Sequence, residues 1–293
     1  MTEPASIMTD GPDSSAGGLL STSPSLRLSR RVPLSALMTL LRITIERQVR
    51  GSRSLAFGLL HLVPILIAGV THYYVGGFDT DRLVNLLIYG LIPQALIPLT
   101  ALLFASGMVN DDLEERTLTY LLIRPIPKWM IYLAKIAATI LVTSILASFS
   151  MLGTLAAIYW GEPNLLETVL RTHGPIVCAT SFLSLAAYVP IFGALSLLAR
   201  RSLIVGVIYV VVLEGLLANI DFVVRRGTVM YWVRVLWIDW LGIPGGPWSI
   251  QSKTAPSATI ALCALIGAGL VIAVAGSWIF SDREFRVKTT ESS

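Results

Sequence analysis

Asn110–Lys135 reads NDDLEERTLTYLLIRPIPKWMIYLAK. It is a short charged hairpin set between two long apolar runs, 85–108 and 129–159. Its first part is acidic. A one-sided apolar turn follows, then Pro125-Ile126-Pro127, then Lys128, Trp129, Tyr132 and Lys135. Asp112 can cap a helix whose third residue is Glu115, a variant of the capping box. Acids in a first turn also suit the helix dipole. Leu118, Leu121 and Leu122 make an apolar stripe, with Tyr120 beside it. Pro125 biases Arg124 away from helix and stops it. A membrane chain that only had to reverse direction would not need this much. The expected product is a capped, amphipathic helix lying flat on a membrane surface, its polar side open to a soluble partner.

Working outward, a helix needs about 20 apolar residues to cross a bilayer. Six runs qualify: 54–75, 85–108, 129–159, 174–199, 202–220 and 257–280. The fold expected is an all-α membrane protein with six transmembrane helices. Composition agrees. The chain is 54% hydrophobic and 14% charged, with a mean hydropathy of +0.73, whereas soluble domains carry about 25% charged residues. Pro64, Pro93, Pro98 and Pro190 fall inside the runs, where neighbouring helices re-satisfy the freed carbonyls. Cys178 and Cys263 lie deep in apolar runs and read as packing residues. Basic residues form no patch interleaved with aromatics on a soluble domain, which argues against nucleic acid.

Three domains follow. Residues 1–32 are rich in Ser, Pro, Gly and Thr and lack an apolar core, so a disordered cytosolic tail is expected, with no cleavable signal. Residues 33–282 form the transmembrane domain, and 283–293 a second cytosolic tail. If both termini are inside, the outside segments keep only Arg82, Arg171, Arg225, Arg226, Arg234 and Lys253, and every other Lys and Arg is cytosolic. The positive-inside rule selects that orientation. Ahead of the first span, Leu34, Leu37, Met38, Leu41 and Ile45 share one helical face and Arg42, Glu46 and Arg50 another, an amphipathic interface helix. Between the last two spans, 228–241 is rich in Tyr, Trp and aliphatic residues. It reads as an outer-leaflet amphipathic segment whose indoles sit at the headgroup level, or alternatively as a lid, ended by Ile243-Pro-Gly-Gly-Pro247.

The hairpin resembles the signature of type-2 ABC transporter permeases, the membrane subunits of ATP-driven exporters. Between their second and third spans an acidic residue, Gly-Thr-Leu, a Leu-Leu pair, Arg-Pro, a basic residue and Gly-Lys recur. Here Asp112, Glu114 and Glu115 precede Thr117 and Leu118; Leu121 and Leu122, Arg124 and Pro125, Lys128 and Lys135 follow. Arg116 stands where Gly is usual, and Ala134 precedes the lysine. The six spans, the basic lead-in and the amphipathic outer segment fit the same family. The resemblance implies a permease without its own engine, and no G-x-x-x-x-G-K-[ST] phosphate loop occurs in the chain. It implies no catalytic residue, no metal and no cofactor here. ATP-Mg would bind a separate ATP-binding cassette subunit. That subunit would dock on Asp112, Glu114, Glu115, Arg116, Thr117, Leu118, Leu121, Leu122, Arg124, Pro125 and Lys128. A second permease, identical or related, would complete the path, and membrane lipid would surround it. The expected location is a bacterial inner membrane.

Two buried ionisable residues stand out, Glu214 in the fifth span and His61 in the first. Such groups line pathways or bond to neighbouring helices. An ion-coupled carrier or channel, or a non-transporting membrane anchor, are the competing readings; no inverted repeat supports a carrier. Gly193-Ala194-Leu195-Ser196 resembles the nucleophile turn of an intramembrane serine protease, but 257–280 holds no histidine to serve as base. His72, His173 and Glu162 show no metal-ligand spacing.

Overall fold

A computed structural model describes residues 34–74, 79–114, 127–163, 165–199, 201–220, 223–243, 248, 250 and 255–282. Both expected tails lie outside the described residues. So does the hairpin from Glu115 to Ile126.

All regular elements among the described residues are helical. Six helices are long and apolar enough to cross a membrane: Ser54–Tyr74, Thr80–Met108, Lys128–Ile158, Gly174–Leu198, Ser202–Asn219 and Ala258–Asp282. They are called the first to sixth spans. A lead-in helix, Leu34–Arg50, precedes them. A loop helix, Val229–Leu241, lies between the fifth and sixth. The end of the bundle that carries Met108 and Lys128 is the hairpin end. The loop helix sits at the other.

The expected spans coincide with the observed ones to within a few residues, except that the second starts earlier. Asp79 caps it, its side chain accepting from the Asp81 N–H, so Thr80, Asp81 and Arg82 join a helix that hydropathy alone would start later. Pro93 lies in a π-helical stretch, Val84–Leu96. A proline cannot donate to the carbonyl four residues back, and a wider turn is one way to absorb that loss. A second π-helical stretch, Val210–Leu216, carries Glu214 and no proline. The third span has 31 residues, about 46 Å of helix, longer than the roughly 30 Å of hydrocarbon.

The second, third and fourth spans form the centre of the bundle. Leu87, Ile92, Tyr132, Met151, Tyr188 and Phe192 are fully buried there. The first and fifth spans are the least buried of the six. Leu55, Leu59 and Leu66 on the first and Ile204, Ile208 and Val211 on the fifth are exposed. In hydrocarbon, helices gain little by hiding apolar surface from one another, so close packing must hold them. Gly269 lets the sixth span press onto the backbone of the fourth; a Cβ there would run into the Ala186 carbonyl. Polar residues inside the spans are largely self-satisfied. Thr100, Thr143, Thr154 and Ser181 donate to the carbonyl four residues earlier at 2.6–2.7 Å.

The lead-in helix forms as expected. Leu37, Leu41 and Ile45 are partly covered, whereas Met38 of the same expected face is exposed. The loop helix is also a helix, but two of its aromatics turn inward. Tyr231 and Trp237 are buried, with Trp237 only 1% exposed. Its ring lies 5.0 Å from Tyr89 and 6.0 Å from Trp248, and its indole N–H donates to Thr180 Oγ1 at 3.0 Å. An anchor at the headgroups would leave its indoles outside. Trp237 serves as core, whereas Trp232 and Trp240 are half-buried; Arg234 is buried too, and Asp239 is exposed.

Candidate functional site

The hairpin end comes first, because the sequence points there. Asp112 and Glu114 fall in the last turns of the helix Ile97–Glu114, which continues the second span. Their side chains, and all of Glu115, Arg116, Thr117, Leu118, Leu121, Leu122, Arg124 and Pro125, lie outside the described residues. What is described is the base of the hairpin. Pro127, in extended backbone, precedes the third span, and its carbonyl accepts the Met130 N–H at 3.0 Å. Lys128 Nζ reaches the Ser281 carbonyl at 3.5 Å, near the end of the sixth span. Ser281 lies in the last turn of its helix, so the Lys128 cation meets the negative end of that helix dipole. Lys135 is buried, and its ammonium donates to the Met108 carbonyl at 3.0 Å. Beside it, Gln48 of the lead-in helix donates to Thr139 Oγ1 at 2.7 Å, and Thr139 Oγ1 lies 3.8 Å from Met108 Sδ. The two stems of the hairpin and the lead-in helix are thereby bonded to one another.

Glu214 belongs to a different cluster, at the loop-helix end. It is fully buried. Its Oε1 accepts the Val229 N–H and its Oε2 the Met230 N–H, both at 3.1 Å. Thr228 caps the same helix, its Oγ1 accepting the Tyr231 N–H at 3.3 Å. The first three N–H groups of the loop helix, which no helix can satisfy internally, are all taken. A carboxylate on the positive end of a helix is also the favourable arrangement. The helix ends at Gly242, whose φ of 63° is the left-handed conformation that glycine adopts freely.

Arg234 returns the contact from one turn further along. Its Nη1 donates to the Ala218 carbonyl at 3.0 Å, and its Nη2 to Asn219 Oδ1 at 2.8 Å. Nη2 also lies 3.5 Å from Gln94 Oε1 of the second span, and Gln94 Nε2 lies 3.5 Å from the Glu214 carbonyl. Ala218 and Asn219 are the last residues of the fifth span, so the Ala218 carbonyl belongs to the negative end of that helix, with the Asn219 side-chain oxygen as a second acceptor beside it. Burial draws the guanidinium down to about 10, with Glu214 pulling the other way; it stays charged at neutral pH. Its ring neighbour is Trp248, 5.7 Å away.

His61 is not part of this cluster. It is fully buried, its Nδ1 lies 3.0 Å from the Phe57 carbonyl, and Ser150 of the third span donates to its own carbonyl at 3.0 Å. In this conformation both Glu214 and His61 are enclosed by protein. Ser196, in the protease-like tetrapeptide, donates to the Gly193 carbonyl at 2.7 Å. No group of His, Cys, Asp and Glu able to hold a metal ion occurs among the described residues.

Sequence reasoning singled out Glu214 but missed Gln94, Asn219 and Arg234 as its companions. A signal for the loop helix existed. Thr228 before an apolar run and Gly242 after it are start and stop marks. Gln94 was a polar residue inside an apolar run, but nothing local said which helix it would face.

The fold therefore defines a multi-pass helical membrane protein. A family model described as ABC-2 family transporter protein matches residues 25–226, and the chain belongs to that family. The match takes in the lead-in helix, five spans and the hairpin, and stops just short of the loop helix. Among curated proteins no match to the chain was found. Members of this family are membrane components of ABC transporters and not themselves ATPases, and this chain is a permease subunit of the family; membership implies an ATP-binding cassette partner.

Proposed function

We propose that the chain is one half of the translocation path of an ATP-driven exporter. Two copies, or this chain and a related one, form the path. Two ATP-binding cassette subunits, which hold ATP-Mg, dock on hairpin 110–128 and the lead-in helix beside it. Closure of those subunits on ATP pushes on the hairpin and opens the path on the far side. The observation that carries this reading is the family match, which spans the lead-in helix, the hairpin and five spans together. The generically apolar faces of the first and fifth spans are available to the second permease and to lipid.

The test is purification of the full-length chain from native membranes in mild detergent. A co-purifying protein with a phosphate loop and ATPase activity is expected. Purification without any ATPase, or saturable ATP binding by the chain with partners absent, would overturn the reading.

We propose that the membrane is a bacterial inner membrane with the hairpin end and both termini on the cytosolic side; the concentration of Lys and Arg at that end supports the orientation. A single cysteine at Arg226, which is exposed, should react with an impermeant maleimide added from outside. Thr228 next to it would be a poor choice, since its hydroxyl caps the loop helix and it is buried. Reaction at position 226 only after the cytosolic side is opened would reverse the orientation.

A further inference from the structure

The fifth span is held in an unusual way. Most of its surface is exposed and apolar. Near its start, Gly206 lets it approach Leu102 of the second span closely. Near its end, the contacts are polar: buried ones from Glu214 to the first N–H groups of the loop helix and from Arg234 to Ala218, and part-buried ones from Arg234 to Asn219 and from Gln94 to both sides. The loop helix itself is wedged into the well-packed part of the bundle by Trp237, against Tyr89 of the second span and Thr180 of the fourth.

We propose that Glu214 and Arg234 form a two-point clasp tying the free end of the fifth span to the loop helix, and so set the width of the transport path at that end. The clasp has a reciprocal design. The fifth span supplies an anion to the positive end of the loop helix, and the loop helix supplies a cation to the negative end of the fifth span. Each helix end satisfies the groups that the other leaves unpaired. Such bonds are strong while dry, and water can replace them. The contact therefore has two natural states: closed and dry, or parted and hydrated. Glu214 and Arg234 act here as positioning residues. The consequence for the path rests on the transport reading above; the clasp itself does not.

The experiment uses the full-length chain with Cys178 and Cys263 replaced by Ser, reconstituted in lipid nanodiscs. Spin labels at Ile220 and Asp239, both exposed, report the distance between the fifth span and the loop helix. A second pair, at Leu86 and Phe182 of the second and fourth spans, serves as control. Two variants weaken the clasp from opposite sides. Arg234→Met removes the cation at similar length. Val229→Pro deletes one N–H at the first helical position, where proline is accepted, and Thr228 is already in the extended backbone that a following proline requires. Both variants should broaden the Ile220–Asp239 distance and lengthen it by about one helical turn, ~5 Å, while the control pair stays put. An unchanged distance in either folded variant would overturn the clasp, as would a control pair that loosens equally. The measurement needs no partner subunit. A lengthened distance in a chain that never co-purifies with an ATPase would leave the clasp standing and remove the transport reading.

Discussion

Glu214→Leu is expected to accumulate little folded protein. The substitution removes the acceptor from two N–H groups in a site with no solvent access. Each orphaned donor costs about 1–3 kcal/mol, against a total stability of about 5–15 kcal/mol for a typical domain. Leucine recovers part of this, since it carries no charge to desolvate. It cannot recover the donors, and it leaves the Arg234 guanidinium without the negative charge that balances it. Removing one partner of a buried set is the costly case; replacing all of them together would be milder. Glu214→Gln should fall between. Its amide keeps one acceptor but turns an NH2 donor toward an N–H donor, so shape similarity does not preserve the bonding. Detergent-extracted yield and thermal midpoint read the effect. Wild-type yield and midpoint in Glu214→Leu would show that the fifth span is held by something else.

Reversing Glu114 and Glu115 to Lys should abolish partner-dependent ATP hydrolysis while leaving insertion intact. The helix runs on from Met108 to Glu114, about 9 Å further, and so carries Glu114 clear of the span, with Glu115 next in the sequence. Reversal puts cations in a position expected to face a partner selected for anions, and like-charge juxtaposition at an interface costs several kcal/mol. A loss of even 1.4 kcal/mol is tenfold in affinity. The check is ATPase stimulation in the reconstituted complex, with membrane insertion measured in parallel. Stimulation at the wild-type level would take the hairpin out of the coupling path.

The spans were legible because crossing a bilayer is a local demand, met residue by residue along one helix. The start of the second span was not, since Asp79 acts by capping, which hydropathy ignores. The loop helix was legible as a helix but not as core. Its tryptophans carry the same local signal whether they face headgroups or Tyr89 and Thr180. Glu214 announced itself as a carboxylate in an apolar run, yet its partners are two backbone N–H groups beyond the next turn of chain, and backbone groups leave no mark in a sequence. The π-helical stretch around it has no proline to betray it. At the hairpin end, Lys128 and Lys135 were legible as basic residues near the start of the third span, but their partners were not. Their carbonyl acceptors, at Ser281 and Met108, belong to other spans.

Those two lysines make the third span the hub of the bundle's foot. Lys135 braces the third span against the second, Gln48 braces the lead-in helix against the third, and Lys128 reaches across to the sixth. A third span pinned to three neighbours in this way cannot slide past any of them without breaking one of these bonds. Stiffness is thus concentrated at the end where force would arrive, and compliance at the opposite end, where a loosely seated fifth helix is fastened by a few bonds that water can undo.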